Sequence, residues 1–195
     1  KIFHKSVINV IKKANTTTLN TYLEYDCAKL ILNAHPWAEM VKFTKSGGEA
    51  MSVAVRIARA FKKKDKVLFC GYHGWYDWYI SANLKNTNKL NEHLLPGIAS
   101  GGIPKSLGGM TIPFEFNNEK DFKLKFKRSL KKLSCVVLEP ARTRHCDLNF
   151  VKTIRKYCSK YNIPLIFDEI TLGWHYTFGG YHKTLNVNPD IAVFS

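Results

Sequence analysis

The sequence predicts an α/β fold built on a mostly parallel, doubly wound sheet, and three observations support this class. Short apolar runs alternate along the chain with stretches of helical periodicity. The runs show little polar alternation, which is typical of parallel strands covered on both faces. Glycine turns or acidic residues follow several runs directly, as they do at the carboxyl edge of open α/β sheets, where ligands bind.

Composition is that of an ordinary globular protein, with 45% hydrophobic and 23% charged residues. Five cysteines without a CxxC pair favour a reducing compartment, hence the cytoplasm, and argue against a zinc site, so no metal is expected. No apolar run is long enough to cross a bilayer and no charged-then-apolar leader is present. We therefore expect neither a membrane partner nor a signal peptide.

The formal net charge of +15 is compatible with a nucleic-acid partner or an anionic surface. The lysines are nevertheless spread along the chain, in groups at 62–64, 120–132 and 152–160, mostly at helix ends or opposite apolar helix faces. Aromatic residues lie mostly in apolar runs rather than on a stacking platform. A lysine-rich solvated surface is the preferred interpretation, and a basic nucleic-acid-binding domain is the alternative.

The chain is predicted to begin with a helical segment, residues 1–35, followed by a single α/β domain, residues 36–195. Within the first segment, a helix at Phe3–Lys13 is predicted to end at a turn formed by Ala14–Thr16. A second helix follows a capping-box pattern, in which the Glu24 side chain accepts a hydrogen bond from the Thr21 N–H.

A glycine turn, Ser46-Gly47-Gly48, separates a predicted short strand at Val41–Thr44 from a helix that Glu49 opens. Two glycines let the backbone come close to a ligand, and the free N–H groups and positive dipole end of the helix face an anion. The turn is a candidate phosphate cradle, and a plain βα turn is equally compatible with it. The predicted buried helix face carries Ala50, Val53, Ala54, Ile57, Ala58 and Phe61.

The rest of the chain continues the alternation of strand and helix. A long loop of Gly, Asn and Ser residues at 86–110 is predicted to be functional or mobile. Asn118 is predicted to cap a helix, and Phe150, Ile154 and Cys158 fall on one face of the next. The further strands are predicted at Lys66–Cys70, Cys135–Pro140, Pro164–Ile170 and Asp190–Ser195.

Three of these strands carry candidate functional residues at their carboxyl ends. Tyr72 and His73, between two glycines, suggest a flat ring held against the backbone, with imidazole as a polar anchor. Glu139 and Asp168 end the next two strands. An unpaired buried carboxylate is costly, so Asp168 makes sense beside a protonated ring nitrogen or a metal. Taken singly, a turn with an ordinary aromatic residue and a surface aspartate explain these residues as well.

A phosphate cradle, an aromatic plate and acids at strand ends together suit a flat, phosphorylated, nitrogen-containing ring, namely pyridoxal phosphate. A carboxylate beside the pyridine nitrogen keeps that nitrogen protonated, which strengthens the ring as an electron sink.

Motifs stand in register along nearly the whole chain at His35–Met40, Ser46–Ala50, Gly71–Gly74, Glu139–Pro140, Ile166–Ile170 and Pro189–Ile191. They resemble the class III pyridoxal-phosphate-dependent aminotransferases, and most closely the glutamate-1-semialdehyde 2,1-aminomutase-like members. The resemblance implies a partial large domain of the fold type I transferases, without the small C-terminal domain.

The resemblance also implies how the cofactor is held. Gly47 and Gly48 would give backbone N–H groups to the phosphate, with Ser46 beside them. Tyr72 would stack on one face of the ring, and Ile170 would press on the other.

The acidic and imidazole side chains would control the ring nitrogen. Asp168, the candidate catalytic residue, would pair with the pyridinium nitrogen, and His73 would support Asp168 from behind. Glu139 would lie near the cofactor, behind the residues that touch it.

Three departures from the family pattern stand out. Gly48 occupies a position usually held by Thr or Ser, whose hydroxyl would also touch phosphate. The stretch Ala141–Arg144 stands where many members have a polar residue facing the ring oxygen of the cofactor. Trp174 and His175 replace an aromatic residue followed by Arg, so anion binding there should be weaker because His is mostly neutral at pH 7.

The family's Schiff-base lysine would directly follow Ser195, so the chain is expected to be an internal fragment that does not turn over alone. The intact protein would move an amino group between a small-molecule amine donor and a carbonyl acceptor, as a homodimer. A non-catalytic relative that keeps the cofactor pocket is the alternative. The sequence leaves open the substrates and the choice between mutase and two-substrate transaminase.

Overall fold

The computed structural model describes residues 2–13, 21–86, 88–93, 97–142 and 144–195. The chain divides into two compact units, one reaching to Val41 and the other running from Lys42 to Ser195. No helix in the described ranges is both long and apolar enough to cross a membrane.

The first unit contains two helices, α1 (Ile2–Lys12) and α2 (Tyr22–Ala34). The predicted capping box is present, since the Thr21 N–H donates to the Glu24 carboxylate over 2.8 Å at the start of α2. Both helix predictions are therefore confirmed. The predicted turn at Ala14–Thr16 lies outside the described residues.

The second unit is organised on a five-stranded sheet with the order β2-β1-β3-β4-β5. Every neighbouring pair is parallel, which confirms the predicted sheet type. Strand β2 was not predicted, because three residues directly after a long loop carry too little pattern. The strands are β1 (Lys66–Cys70), β2 (Thr111–Pro113), β3 (Leu133–Leu138), β4 (Leu165–Asp168) and β5 (Ile191–Val193).

Helices cover both faces of this sheet, as the doubly wound prediction requires. The helices of the second unit are α3 (Gly47–Lys62), α4 (Asp77–Ile80), α5 (Glu119–Ser129), α6 (Leu148–Lys160), α7 (Gly173–Tyr176) and α8 (His182–Leu185). Alternate residues of β1 point to opposite sides: Phe69 joins the core that contains α3, whereas Leu68 joins the core that contains α5 and α6. Asn118 caps α5 as predicted, accepting the Asp121 N–H at 3.0 Å.

Among the local predictions, two near the start of α3 were wrong. Val41–Thr44 forms no strand and pairs with none of the described strands; Lys42 and Phe43 are exposed, so this segment buries no face that would favour adding it to the sheet. Helix α3 begins at Gly47, two residues before the predicted start.

The buried face of α3 is also rotated relative to the prediction. The predicted Ile57 and Phe61 are exposed, whereas Met51 and Val55 are buried together with Ala54 and Ala58. Both candidate faces are apolar and share the two alanines, so periodicity alone did not separate them. The sheet selects the face on which the small alanines permit close approach.

Candidate active site

The predicted site residues meet at the carboxyl edge of the sheet. Cys70, Leu138 and Phe167, on the neighbouring strands β1, β3 and β4, lie opposite one another in the sheet. The next residues, Gly71, Glu139 and Asp168, therefore lie side by side, although they are far apart in sequence. This is the edge at which open α/β sheets bind ligands.

Asp168 and His73 form a buried pair at this edge. His73 Nδ1 lies 2.8 Å from Asp168 Oδ2, and both residues are less than 5% exposed. Asp168 Oδ1 accepts the Ile170 N–H at 3.2 Å. Since a carboxylate oxygen accepts more than one hydrogen bond, each oxygen retains capacity for an N–H donor on a ligand.

The far side of the His73 ring is polar and unsatisfied. His73 Nε2 and Trp78 Nε1 are buried and have no hydrogen-bond partner in the part of the chain that the structure describes. Their rings stack with centroids 6.1 Å apart. If the neutral His73 ring donates from Nδ1 to Asp168, its Nε2 is an acceptor, whereas Trp78 Nε1 is a donor.

The glycine turn forms the first turn of α3 and faces the same edge. Ser46 is the N-cap, with its hydroxyl oxygen accepting the Glu49 N–H at 3.3 Å. The first N–H groups of a helix have no acceptor within the helix, and they carry the positive end of its dipole. The N–H groups of Gly47 and Gly48 are thus suited to an anion such as phosphate.

Neither glycine can be replaced without displacing a neighbour. A Cβ on Gly47 would lie 2.7 Å from Ile170 Cδ1, and a Cβ on Gly48 would lie 2.8 Å from the Tyr76 ring. The contact with Ile170 joins the glycine turn to the segment after Asp168. The Tyr76 ring explains why Gly48 departs from the Thr or Ser of the family pattern, because it takes the space of such a side chain.

Glu139 ties the loops after three strands together. Its Oε2 accepts the Tyr72 N–H at 2.9 Å, and its Oε1 accepts the Thr171 hydroxyl at 3.3 Å. Burial raises the pKa of the Glu139 carboxyl above its ordinary value, while the nearby His73 ring and the Tyr72 N–H oppose that shift. Glu139 therefore holds the Tyr72 backbone in place.

Tyr72 presents a half-buried ring at this edge. The Arg142 guanidinium carbon lies 4.8 Å from the Tyr72 ring centroid, and the rings of Trp75 and Tyr79 approach edge-on at 6.4 and 6.0 Å. Burial raises the pKa of the Tyr72 hydroxyl, and Arg142 partly offsets this. The Tyr79 ring lies edge-on to both the Tyr72 ring and the His73 ring, with centroids 6.0 and 5.7 Å away, so Tyr72 and His73 share one aromatic cluster at this edge.

A second buried carboxylate–imidazole pair was not predicted. Glu169 Oε1 accepts from His182 Nδ1 at 2.7 Å and from the His182 N–H at 3.0 Å, while Oε2 accepts the Tyr181 N–H. The Glu169 N–H in turn donates to Val193 O over 2.9 Å. Glu169 thus links both the loop before α8 and strand β5 to the end of β4. In the sequence, the only signal for this pair was a carboxylate directly after Asp168, and it did not identify His182 as the partner.

His93 is the other residue that sequence reasoning missed. Its Nδ1 accepts the Gly71 N–H at 3.2 Å, and the Tyr79 hydroxyl bridges Gly71 O and His93 O at 3.1 Å each. Burial, and then the nearby His73 ring, lower the pKa of His93 to about 4 from 6.5. Neutral His93 therefore links the long loop to the turn that carries Tyr72.

This contact predicts a pH-dependent stability. Between pH 6.5 and about 4 the unfolded chain binds a proton at His93 and the folded chain does not, so the free energy of unfolding falls as pH falls through this window. The expected loss is roughly 2 kcal/mol between pH 7 and pH 4.5. His93→Gln keeps an acceptor for Gly71 but does not titrate. Urea unfolding of both proteins at the two pH values isolates the effect, and equal pH dependence in the two would contradict it.

The residues described in the structure include no group of three or more His, Cys, Asp or Glu side chains arranged to hold a metal ion.

A parallel sheet, a helix that begins at two glycines and a buried Asp–His pair at its carboxyl edge together form a site suited to a small anionic ligand. Residues 3–195 match the family model for class III aminotransferases, and the chain belongs to that family. The predicted resemblance is thereby confirmed.

Two similar curated proteins are glutamate-1-semialdehyde 2,1-aminomutases. The protein from Syntrophus aciditrophicus is 34% identical over 199 residues, a match that covers 97% of this chain and 45% of the relative. The protein from Thermodesulfovibrio yellowstonii is 35% identical over 196 residues, covering 96% and 44%. The chain thus spans less than half the length of these relatives.

Solved structures share the fold. An omega-transaminase from Sphaerobacter thermophilus superimposes with a TM-score of 0.85 at 24% identity, covering 98% of this chain and 45% of the other. A glutamate-1-semialdehyde aminomutase from Pseudomonas aeruginosa superimposes with a TM-score of 0.72 at 19% identity, covering 95% and 41%. These matches confirm the predicted fold class, that of the fold type I transferases.

Proposed function

We propose that this chain is the cofactor-binding part of a pyridoxal-phosphate-dependent aminotransferase or aminomutase, with residues 36–195 as an incomplete large domain. The observation that carries the proposal is the buried Asp168–His73 pair, 2.8 Å apart, at the same sheet edge as the start of α3, where Gly47 packs against Ile170. At one sheet edge, the carboxylate is suited to the ring nitrogen of a phosphorylated pyridine and the helix N-terminus is suited to its phosphate.

Each predicted residue then has a physical task. The N–H groups of Gly47 and Gly48 bind the phosphate, while Ser46 keeps the helix start in place. The Tyr72 ring and the Ile170 side chain would hold the pyridine ring between them and exclude water from its faces.

The pyridine nitrogen is held by Asp168, whose oxygens each accept only one hydrogen bond from the described residues. His73 donates from Nδ1 and keeps the carboxylate oriented, and Glu139 holds the Tyr72 backbone through its N–H. When bound, the cofactor supplies an electron sink for carbanion chemistry at the carbon that carries the amino group.

The proposal extends to the whole protein. An amine donor and a carbonyl acceptor, both small molecules, would exchange an amino group, and the names of the relatives point to aminomutase and transaminase as the two branches. We further propose a homodimer and a cytoplasmic location. The five cysteines, all free, favour a reducing compartment.

Binding of pyridoxamine phosphate by calorimetry tests the proposal. This form of the cofactor has no aldehyde, so it cannot react with the many surface lysines. Pyridoxamine without phosphate should bind roughly 10- to 100-fold more weakly, because it loses charge-assisted hydrogen bonds at α3. Repeating the titration at higher sodium chloride concentration measures how much of the binding comes from the basic surface, because salt screens exposed charges. Absence of saturable pyridoxamine phosphate binding, or equal affinity for both amines, would refute the proposal.

A further inference from the structure

Tyr76 lies against the start of α3, where the cofactor phosphate is proposed to bind, and the proposed function gives it no task. A Cβ on Gly48 would fall 2.8 Å from Tyr76 Cε2 and 2.9 Å from Tyr76 Cδ2, two neighbouring atoms at one edge of the ring. The edge of the Tyr76 ring therefore takes the space in which a side chain at position 48 would begin.

That space is on the phosphate side of Gly48. Gly48 is the second residue of α3, and the Cα–Cβ bonds of a helix tilt toward its N-terminus. The free N–H groups, which would bind the phosphate, point toward the same end of the helix. The Tyr76 hydroxyl oxygen is two bonds from Cε2, the ring atom nearest to the Cβ position, so the hydroxyl also lies close to this end of α3.

The backbone that carries Tyr76 is held in place. The Tyr76 carbonyl accepts the Tyr79 N–H at 2.9 Å and the Ile80 N–H at 3.1 Å at the start of α4. The preceding turn also packs directly on α3, because a Cβ on Gly74 would lie 2.9 Å from Gly48 Cα. A side chain on such a fixed backbone loses less freedom when it binds a ligand, which favours a binding role.

The Tyr76 hydroxyl is available to a ligand. It forms no hydrogen bond with the residues that the structure describes, and Tyr76 is 45% exposed. A phenolic hydroxyl can donate a hydrogen bond, and a phosphate carries three strongly accepting oxygens. Because the acceptor would be charged, such a hydrogen bond would be stronger than one between neutral groups.

We propose that Tyr76 is a further cofactor-binding residue, whose hydroxyl donates to the phosphate from the space that a side chain at position 48 would occupy. The family pattern has a Ser or Thr hydroxyl at that position, and Gly48 lacks it. Tyr76 thus supplies, from the start of α4, a donor that α3 does not carry. This inference rests on the proposed function, because it requires a phosphorylated ligand at Gly47 and Gly48.

Removal of a single oxygen atom tests this contact. Tyr76→Phe keeps the ring that packs against Gly48 and removes only the hydroxyl. Calorimetry should show about tenfold weaker binding of pyridoxamine phosphate, whereas pyridoxamine, which has no phosphate, should bind within about twofold of its wild-type affinity. Tyr161→Phe is the matched control, because Tyr161 follows α6 at the opposite edge of the sheet, and it should change neither affinity.

Moving the hydroxyl from position 76 to position 48 gives a second test. Tyr76→Ala should lose the contact with the phosphate, and Gly48→Ser should also weaken binding because its side chain meets the Tyr76 ring. In the double variant, the serine occupies the space that the ring has left. The affinity of the double variant for pyridoxamine phosphate should return to within about threefold of wild type, although each single variant binds about tenfold more weakly. Near-ultraviolet circular dichroism reports whether each variant keeps the fold.

The outcomes separate this inference from the proposed function. If Tyr76→Phe leaves the pyridoxamine phosphate affinity unchanged, or lowers both affinities equally, the hydroxyl does not bind the phosphate. A folded double variant that binds no better than Tyr76→Ala shows that a hydroxyl at position 48 does not replace that of Tyr76. Either result overturns this inference alone. No saturable pyridoxamine phosphate binding by wild type, or equal affinity for both amines, overturns the proposed function and this inference with it.

Discussion

Asp168→Asn is expected to lower the affinity for pyridoxamine phosphate by about 100-fold. The side chain is buried and hydrogen-bonded to His73, so its charge is held in place rather than screened by water. Removing one partner of a buried charge pair typically costs about 3 kcal/mol or more. Asparagine keeps the size of the side chain and removes only the charge that would meet the pyridinium nitrogen.

Asp190→Asn is the matched control for this measurement. Asp190 lies just before β5, at the opposite edge of the sheet, and pairs with Arg155 over 2.8 Å while remaining 48% exposed. Its replacement should leave the affinity within about threefold of wild type. Near-ultraviolet circular dichroism of each variant reports whether the fold is kept. A folded Asp168→Asn protein that binds as tightly as wild type would contradict the assigned role.

Gly71→Ala should destabilise the fold by about 3 kcal/mol. Gly71 has φ of +115°, which disfavours any residue with a Cβ. The added Cβ would also fall inside the contact distance of Glu139 Cβ and 3.0 Å from Glu139 Oε2. Relief of the clash would move the carboxylate that holds Tyr72, so cofactor affinity should fall together with stability.

Substitutions at two other glycines separate the energetic cost of a positive φ from the cost of the clash with Glu139. Gly102 has φ of +85° and nothing within 4 Å of the position that a Cβ would take, whereas Gly101 has the same open space without a positive φ. Urea unfolding should show almost no loss for Gly101→Ala and about 1 kcal/mol for Gly102→Ala. If Gly71→Ala cost no more than Gly102→Ala, the packing of Gly71 against Glu139 would be unimportant.

Local and repeated patterns in the sequence were sufficient to predict most of the fold. Strand β1 was predicted at its observed bounds because Lys66–Cys70 is a compact apolar run between a charged helix end and a glycine. Asp168 was found because a carboxylate directly after a buried run is costly without a partner. The helix caps at Thr21 and Asn118 follow from short-range hydrogen bonding that sequence spacing reveals.

Features that depend on distant packing were not predictable in the same way. The choice between two apolar faces of α3 depends on which one meets the sheet. His93 reaches Gly71 across 22 residues, and Glu169 reaches His182 across 13, with no local pattern that marks either partner. The expected strand at Val41–Thr44 had suitable residues but no neighbour to pair with among the described strands.

A crystal structure of the chain with pyridoxamine phosphate tests the central claim most directly. The predicted result places the phosphate on the N–H groups of Gly47 and Gly48, the ring between Tyr72 and Ile170, and the pyridine nitrogen within hydrogen-bonding distance of Asp168. A well-ordered ligand bound elsewhere, or bound at this edge with its nitrogen turned away from Asp168, would contradict it.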